Sequence, residues 1–266
     1  MAADYSTSVV TVRGCRIRLM RGGAGDTLIY LHGASGAAWL PFLQTLTKHF
    51  DVIAPEHPGF GESDTPDWLD NIHDLAYFYL DLIGELKLKN VHLVGNSLGG
   101  WIAAEVAVRS TEHLATLTLA GSAGLYVADV AQVDSFLVSE EQRLRHFFHD
   151  PNKAKEMIAR VLSPEQEDIA LRNRAIVAKL SWQPRSHDPN LAKWLHRIDV
   201  PTLLIWGDTD RIFPKEHALA YQRSIPNAQL VIVPHCGHVP QIEQPDAFVA
   251  ALESFIGGGR KARKTA

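Results

Sequence analysis

A serine enclosed by two glycines is the feature of this sequence best suited to covalent chemistry. Residues 95–99 read Gly-Asn-Ser-Leu-Gly, after an apolar run at residues 91–94 and before a segment of helical period. A sharp turn from strand to helix crowds the backbone around its central residue, so glycine is needed two positions before and two positions after the serine. The turn holds the hydroxyl at a helix N-terminus, where the helix dipole favours developing negative charge. We therefore predict that Ser97 is a nucleophile.

A serine hydroxyl needs a base that takes its proton, and the base needs a carboxylate that orients it. Asp210 lies in the loop after the apolar run at residues 202–206, and His238 lies in the loop after residues 230–233. The chain order serine, aspartate, histidine is the order of a parallel sheet whose carboxyl ends bring the three loops together. We predict that His238 is the general base and Asp210 the orienting carboxylate.

Asp208 and His235 lie in the same two loops and are alternatives to this assignment. Asp210 is preferred because it lies further from the strand and fits the pattern Gly-x-x-Asp-x-x-x-Pro, which leaves Asp208 as a turn former. His238 is preferred because it follows Gly237 and precedes a short helical start near residues 243–245.

Acyl transfer builds negative charge on a carbonyl oxygen, and fixed backbone N–H groups stabilise that charge. We predict the amide of Leu98, directly after the nucleophile, as one donor. The second is predicted to be the amide of Ala34, in the small-residue loop at residues 32–36, and the Ser35 hydroxyl is a further candidate donor. The alternative for this loop is an ordinary strand-to-helix turn.

Composition and charge exclude several other classes. The chain has 266 residues, 46% of them hydrophobic, which is enough for a sizeable core, and its net charge of −4 attracts neither nucleic acid nor an anionic membrane. Residues 1–8 do not resemble a secretory signal, and no segment has the ~18 apolar residues that span a bilayer. We expect a cytoplasmic protein whose partner is a small-molecule substrate, with a homo-oligomer left open.

Short apolar runs alternate with helical segments, which indicates an α/β protein with a mostly parallel sheet flanked by helices. An antiparallel hairpin over residues 9–12 and 15–20 opens the chain. Residues 122–195 are helical in pattern without a convincing strand. We therefore predict a core formed by residues 1–121 and 196–256, a helical insertion at 122–195, and a disordered basic tail at 257–266.

The chain resembles the α/β-hydrolase family from residue 9 to residue 256. The resemblance rests on five motifs in the expected order: His32-Gly33, residues 58–63 (Pro-Gly-Phe-Gly-Glu-Ser), residues 95–99, residues 207–210 and Gly237-His238. It implies that the helical insertion is a cap over a serine, histidine and aspartate site. We expect no cofactor, and because the pattern His-Glu-x-x-His is absent we expect no metal.

Within this family the chain resembles esterases and also the carbon–carbon bond hydrolases that cleave vinylogous 1,5-diketones. Asn96 and residues 236–238 look like the second group, and Arg172 stands where those enzymes keep an arginine for the substrate carboxylate. Val239 and residues 34–37 differ from that group. We therefore expect a carboxylesterase for a small, largely apolar substrate, with the carbon–carbon bond hydrolase as the alternative and a hydrolase-fold ligand receptor as a third hypothesis.

The predicted cap contains aromatic and apolar side chains that could line a substrate pocket. The alternative, that they pack the cap onto the core, stays open for each of them. These residues are Phe136, Leu137, Phe147, Phe148, Trp182 and Trp194.

Overall fold

The computed structural model describes residues 5–264, apart from the side chains of residues 259–264. Eight strands form one sheet. Their bounds are β1 (Ser6–Val12), β2 (Cys15–Gly23), β3 (Asp26–Leu31), β4 (Phe50–Pro55), β5 (Val91–Asn96), β6 (Leu114–Ala120), β7 (Thr202–Gly207) and β8 (Gln229–Val233).

The strands lie in the order β1-β2-β4-β3-β5-β6-β7-β8. β1 pairs antiparallel with β2, and β2 pairs antiparallel with β4, whereas all the later pairs are parallel. The carboxyl ends of β3, β5, β7 and β8 therefore meet at one edge of the sheet. This confirms the predicted α/β fold class and the opening hairpin.

Ten helices surround the sheet or lie between its strands in the described chain. They are α1 (Pro41–Leu46), α2 (Ile72–Glu85), α3 (Leu98–Arg109), α4 (Glu140–Phe147), α5 (Pro151–Ile158), α6 (Pro164–Ser181), α7 (Leu191–Trp194), α8 (Lys215–Ser224), α9 (Pro240–Glu243) and α10 (Pro245–Lys264).

Two apolar clusters, one on each face of the sheet, hold these layers together. In β3, Ile29 and Leu31 join the cluster that contains α2 and α3, while Leu28 and Tyr30 join the one that contains α1 and α10. Successive side chains of a strand point to opposite faces, so a strand covered on both sides must be apolar throughout. This is why β3 and β5 appear as continuous apolar runs in the sequence.

Helix α2 shows how local sequence sets an element's start. The side chain of Asn71 accepts hydrogen bonds from the backbone N–H groups of His73 and Asp74, and the Asp74 carboxylate accepts one from the Asn71 backbone. This capping box satisfies N–H groups that have no partner inside the helix.

The chain between β6 and β7 contains α4 to α7 and a short 3₁₀ turn at Leu195–Arg197. Its only pairing among the described residues is a single bridge between Gly124 and His187. Ile176 and Leu180 of α6 are buried in the core cluster that contains α2 and α3. The helical content agrees with the expected insertion, whose bounds at residues 122 and 195 remain a prediction.

The end of the chain differs from the expected disordered tail. Helix α10 continues through residues 257–259, three glycines, as far as Lys264, while Thr265 and Ala266 lie outside the described residues. A helix already anchored by the buried Phe248 and Leu252 gains one hydrogen bond for each added residue, so it can continue through residues of low helix propensity. No helix of the described chain combines the length and apolarity needed to cross a membrane.

Candidate active site

Ser97 lies at the tight turn between β5 and α3. Its backbone has φ 55° and ψ −116°, in the region that L-residues rarely adopt. A Cβ on Gly95 would lie far inside van der Waals contact with the carbonyl group of Gly99, and a Cβ on Gly99 would do the same with the carbonyl group of Leu31. The two glycines of the motif are therefore required by close backbone approach.

The structure brings Ser97, His238 and Asp210 into one hydrogen-bonded line. His238 Nε2 lies 2.9 Å from Ser97 Oγ, and His238 Nδ1 lies 2.9 Å from Asp210 Oδ2. The side chains of His238 and Asp210 are almost completely buried. If Nδ1–H donates to the carboxylate, the lone pair on Nε2 is free to accept the proton of the serine hydroxyl.

The second oxygen of Asp210 fixes the carboxylate in this orientation. Oδ1 accepts hydrogen bonds of 2.9 Å from the backbone N–H groups of Ile212 and Phe213. Three donors thus hold the carboxylate, and its plane cannot turn away from the imidazole without leaving buried N–H groups unpaired.

His238 is held by both its backbone and its ring. Its backbone N–H donates to the carbonyl oxygen of Phe147 at 2.7 Å, and the rings of Phe147 and Phe213 lie 4.9 and 5.6 Å from the imidazole. Gly237 is needed because a Cβ there would collide with the Phe147 carbonyl oxygen. The glycine before the histidine is thus the sequence signal of this close approach.

Asp208 and His235, the alternatives to Asp210 and His238, make other contacts. Asp208 is exposed, and its Oδ1 accepts from the backbone N–H of Cys236 at 3.1 Å. Desolvation opposes its ionisation, but hydrogen bonds from the backbone of Cys236 and His235 outweigh it and lower the pKa of Asp208. The His235 ring faces His149, with 5.4 Å between centroids. Asp208 therefore stabilises the loop by hydrogen bonding to its backbone, as a turn former would.

The loop after β3 forms a tight turn beside the nucleophile. The Gly36 N–H donates to the Gly33 carbonyl oxygen at 3.2 Å, and a Cβ on Gly33 would lie 3.3 Å from the Cβ of Ser97. Ala34 is half-buried and Ser35 is exposed within this turn. Leu98 is the first residue of α3, so its N–H has no intrahelical acceptor. The donor roles of Ala34, Ser35 and Leu98 remain predictions.

A buried pair of histidines underlies the turn, and the sequence reasoning missed its second member. The His57 N–H donates to His32 Nε2 at 3.0 Å, His57 Nε2 lies 2.9 Å from the His32 carbonyl oxygen, and His32 Nδ1 lies 2.7 Å from the Gly33 carbonyl oxygen. The Tyr79 hydroxyl contacts His57 Nδ1. These contacts are all satisfied by two neutral imidazoles. Burial lowers the pKa of His32 to about 4 and that of His57 well below its ordinary value.

Asn96 and Arg172, two of the predicted substrate contacts, form hydrogen bonds with other groups of the protein. Asn96 is buried, and its Nδ2 donates to the Ala120 carbonyl oxygen at 3.0 Å. Arg172 is exposed, and its guanidinium donates to the Ser63 carbonyl oxygen at 2.8 Å and the Thr65 hydroxyl at 3.0 Å. The role of Arg172 as a substrate contact remains a prediction.

The next residue of α6, which the sequence reasoning missed, is the one that points to the site. Asn173 is buried, and it contacts both the turn that carries Ala34 and the loop after β4. The sequence of α6 carries no signal for it, because polar and apolar residues both surround Asn173 and its burial is known only from the structure.

The six cap residues differ in their surroundings. Phe147 contacts His238, whereas Phe148 packs with Ala154 and Val239. Phe136 and Trp182 pack against one another, and Arg185 lies over both rings. The expectation of pocket walls is wrong for Leu137 and is not supported for Trp194, because these side chains are 74% and 50% exposed.

Among the described side chains, one group has three potential metal ligands: His73, Glu105 and Asp188. It shares no residue with the Ser97 site. Arg109 Nη1 lies 2.5 Å from Glu105, and His73 Nε2 lies 3.1 Å from Asp188, so side chains of the protein already contact both carboxylates. The absence of a metal from the function remains a prediction.

Residues 28–251 match the model of the alpha/beta hydrolase family. The chain belongs to this family. The 2-hydroxy-6-oxo-6-(2'-aminophenyl)hexa-2,4-dienoic acid hydrolase of Metapseudomonas resinovorans is 29% identical to it over 95% of this chain and 91% of that protein. The 2-hydroxymuconate semialdehyde hydrolase of Pseudomonas putida is 30% identical over 93% of this chain and 92% of that protein.

The fold of this alpha/beta hydrolase is also similar to the crystal structure of a membrane phospholipase A, a bacterial virulence factor. The TM-score is 0.79 at 27% identity, and the match covers 97% of this chain and 87% of that chain. Family and relatives together show a hydrolytic enzyme, with both carbon–carbon bond hydrolases and a lipid esterase among the similar proteins.

Proposed function

We propose that this alpha/beta hydrolase cleaves a carboxylic ester of a small, largely apolar substrate through an acyl-enzyme on Ser97. The observation that carries the proposal is the line of two 2.9 Å contacts from Ser97 Oγ through His238 to Asp210. A hydroxyl, an imidazole and a carboxylate in this order form the machinery of nucleophilic acyl transfer.

The proposed reaction has two halves. His238 Nε2 takes the proton of Ser97 as Oγ attacks the ester carbonyl, and the amides of Leu98 and Ala34 stabilise the oxyanion. His238 then gives this proton to the departing alcohol as the ester C–O bond breaks. In the second half His238 takes a proton from water, water attacks the acyl group, and the acid leaves as Ser97 regains its proton. Asp210 holds the imidazole and stabilises its charged form throughout.

The resemblance to carbon–carbon bond hydrolases implies that Arg172 binds a substrate carboxylate. In the structure Arg172 Nη2 donates to the Ser63 carbonyl oxygen and the Thr65 hydroxyl, and an uncharged ester needs no such cation. The rings of Phe147 and Phe213 pack around His238, which suits an apolar acyl or alcohol group.

Carbon–carbon bond hydrolysis of a vinylogous 1,5-diketone is the second candidate. The names of the two relatives, a hexadienoic acid hydrolase and a semialdehyde hydrolase, favour it. For such a substrate the carbon–carbon bond beside the attacked ketone breaks, and the leaving carbon must receive the proton that an alcohol oxygen receives in ester cleavage.

A direct comparison of the two substrate classes tests the proposal. Purified protein is assayed with p-nitrophenyl esters of increasing acyl length and with a ring-fission diketone, each alongside Arg172→Ala. We expect ester hydrolysis to have the higher kcat/KM and to survive the Arg172→Ala substitution. A preference for the diketone that the substitution removes would establish the second candidate instead.

The roles of the two aspartates provide a matched test of the mechanism. Asp210→Asn should lower kcat by roughly 10⁴-fold, because an amide cannot hold the imidazole in the required tautomer. Asp208→Asn, two residues away, should retain activity within a few-fold. Labelling by a fluorophosphonate probe should place the adduct on Ser97. Tight ligand binding with negligible turnover would favour the receptor hypothesis.

A further inference from the structure

Asn173 forms a bridge between the helical insertion and two loops of the core. Its Nδ2 donates to the carbonyl oxygen of Ser35 at 3.3 Å, and its Oδ1 accepts from the backbone N–H of Gly61 at 2.9 Å. The residue is 3% exposed although its neighbours in α6, Arg172 and Arg174, are exposed. Both polar groups of a buried amide are thus paired with backbone groups of the core.

The turn at residues 33–36 is held at its two ends by different parts of the protein. The Gly33 carbonyl oxygen accepts from Gly36 N–H and contacts His32 Nδ1, so this end belongs to the core. The Ser35 carbonyl oxygen accepts from Asn173, which belongs to α6. The predicted oxyanion donor, the N–H of Ala34, shares a peptide group with the Gly33 carbonyl, and the Gly36 N–H that bonds this carbonyl shares a peptide group with the Ser35 carbonyl.

The turn leaves no room for a side chain at Gly36, where it faces Asn173. A Cβ on Gly36, which has φ +97°, would lie 2.5 Å from Asn173 Nδ2. The glycine therefore allows the asparagine to approach the peptide group that follows Ser35. This peptide group carries the Gly36 N–H that donates to the Gly33 carbonyl oxygen, so a shift of the asparagine would reach the Ala34 N–H through that hydrogen bond.

We propose that Asn173 is a positioning residue: by holding the Ser35–Gly36 peptide group from helix α6, it fixes the Gly36–Gly33 hydrogen bond and thereby orients the Ala34 amide toward the reacting carbonyl oxygen. The proposal rests on the proposed function. Oxyanion stabilisation depends on donors aimed at the position that the charged oxygen will occupy, so a small rotation of the turn weakens transition-state binding more than substrate binding.

The substitution Asn173→Asp isolates the donor half of this bridge. Aspartate has almost the same shape and can still accept from Gly61 N–H, but its carboxylate opposes the Ser35 carbonyl oxygen. We expect kcat for a p-nitrophenyl ester to fall about 10- to 100-fold, as for small misplacements of reacting groups, with KM changed by less than about threefold. Asn173→Leu, which removes both contacts at similar volume, provides a second variant if the aspartate variant does not fold.

Arg174→Ala is the matched control. Arg174 is exposed on the same helix, and its described ion pair is a 4.0 Å contact with Glu140 in α4. This variant should have wild-type kcat and KM. Melting temperatures of all variants are measured beside the kinetics.

Inhibition by a trifluoromethyl ketone separates positioning from mere stabilisation. The ketone forms a tetrahedral adduct with Ser97 whose oxyanion needs the same donors, so its Ki should rise in proportion to the fall in kcat/KM. An unchanged Ki in a variant with lowered melting temperature would show that Asn173 only stabilises the fold. Wild-type kcat in both Asn173 variants would also overturn the inference.

Labelling of Ser97 distinguishes failure of the proposed function from failure of the positioning role. If the wild-type protein hydrolyses neither ester nor diketone, the rate at which a fluorophosphonate labels Ser97 still reports the state of the turn. Asn173→Asp should then label more slowly than Arg174→Ala. Equal labelling rates would contradict the positioning role independently of the natural substrate.

Discussion

The backbone of Ser97 has a conformation that is unfavourable for any residue with a Cβ. Its φ of 55° and ψ of −116° persist because β5, α3 and the two glycines of the motif leave no other path for the chain. Such conformations raise the free energy of the native state by roughly 1–3 kcal/mol each and are found where function needs them. The nucleophile is therefore positioned at the expense of stability.

Replacement of the nucleophile by glycine should release this strain. We expect Ser97→Gly to unfold with a free energy about 1 kcal/mol higher than Ser97→Ala, since glycine tolerates positive φ and its greater unfolded-state entropy offsets only part of the gain. Urea unfolding of both variants measures the difference. Both should be inactive toward esters, so activity does not confound the comparison. Equal stability of the two variants would show that the Ser97 backbone is unstrained.

At the scale of elements, two arginine–carboxylate pairs join β2 to the start and end of β4. Arg18 Nη2 lies 2.7 Å from Glu56, whose carboxylate is buried and also accepts from the N–H groups of Glu62 and Ser63. Arg21 contacts Asp51 through Nε at 2.8 Å and Nη2 at 2.6 Å, and here the arginine side chain is half exposed. The buried pair shapes the loop after β4, which includes Gly61.

Glu56→Gln should therefore be far more damaging than Asp51→Asn. A glutamine amide must point its NH₂ either at the guanidinium or at the two backbone N–H groups, so donors face donors in a buried site. We expect the free energy of unfolding to fall by about 3 kcal/mol or more for Glu56→Gln, and by a smaller amount for Asp51→Asn, because its partner Arg21 is half exposed. Chemical denaturation of the two variants provides the test, and similar losses would contradict the importance of burial.

The long apolar strands could be predicted from the sequence, whereas the short helices could not. β3, β5 and β7 are apolar on both faces and stand out in the sequence. The short helices α1, α8 and α9 were not predicted. They have six, ten and four residues and begin at or directly after a proline, so their apolar period is too brief to distinguish from a loop.

At the scale of the whole molecule, the neutral His32–His57 pair makes stability depend on pH. Burial lowers the pKa of both imidazoles, to about 4 for His32. Above about pH 6.5 neither the native nor the unfolded state protonates them. As the pH falls below 6.5 the unfolded chain binds protons that the native state does not, so stability falls until the native pKa is reached.

Urea unfolding at pH 7.5 and pH 5.0 tests this linkage. His32 alone should lower the free energy of unfolding by about 2 kcal/mol between these values, and His57 should add to the loss. The variant His57→Gln should be less stable at pH 7.5 but should lose less on acidification. His196→Gln, at an exposed histidine, is the control. An equal acid-induced loss in wild type and His57→Gln would rule out the buried pair as its source.

The sequence by itself determined the α/β fold class and pointed to Ser97, Asp210 and His238. The structure places these three side chains in contact, and the patterns that pointed to them have simple physical causes. A strand-to-helix elbow needs glycines at set spacings, and loops after parallel strands must meet at one sheet edge. The choice of Asp210 over Asp208 also rested on local distance from the strand.

Only the tertiary structure decided which side chains of distant elements meet. Successive residues of a helix point about 100° apart, so Arg172 and Asn173 face different surroundings, and nothing in the period of α6 states which core loop covers either face. The pairing of His32 with His57 and of Arg18 with Glu56 likewise depends on the packing of separate strands and loops. The sequence therefore named the groups that can do the chemistry, and the fold decided which residues hold them in place.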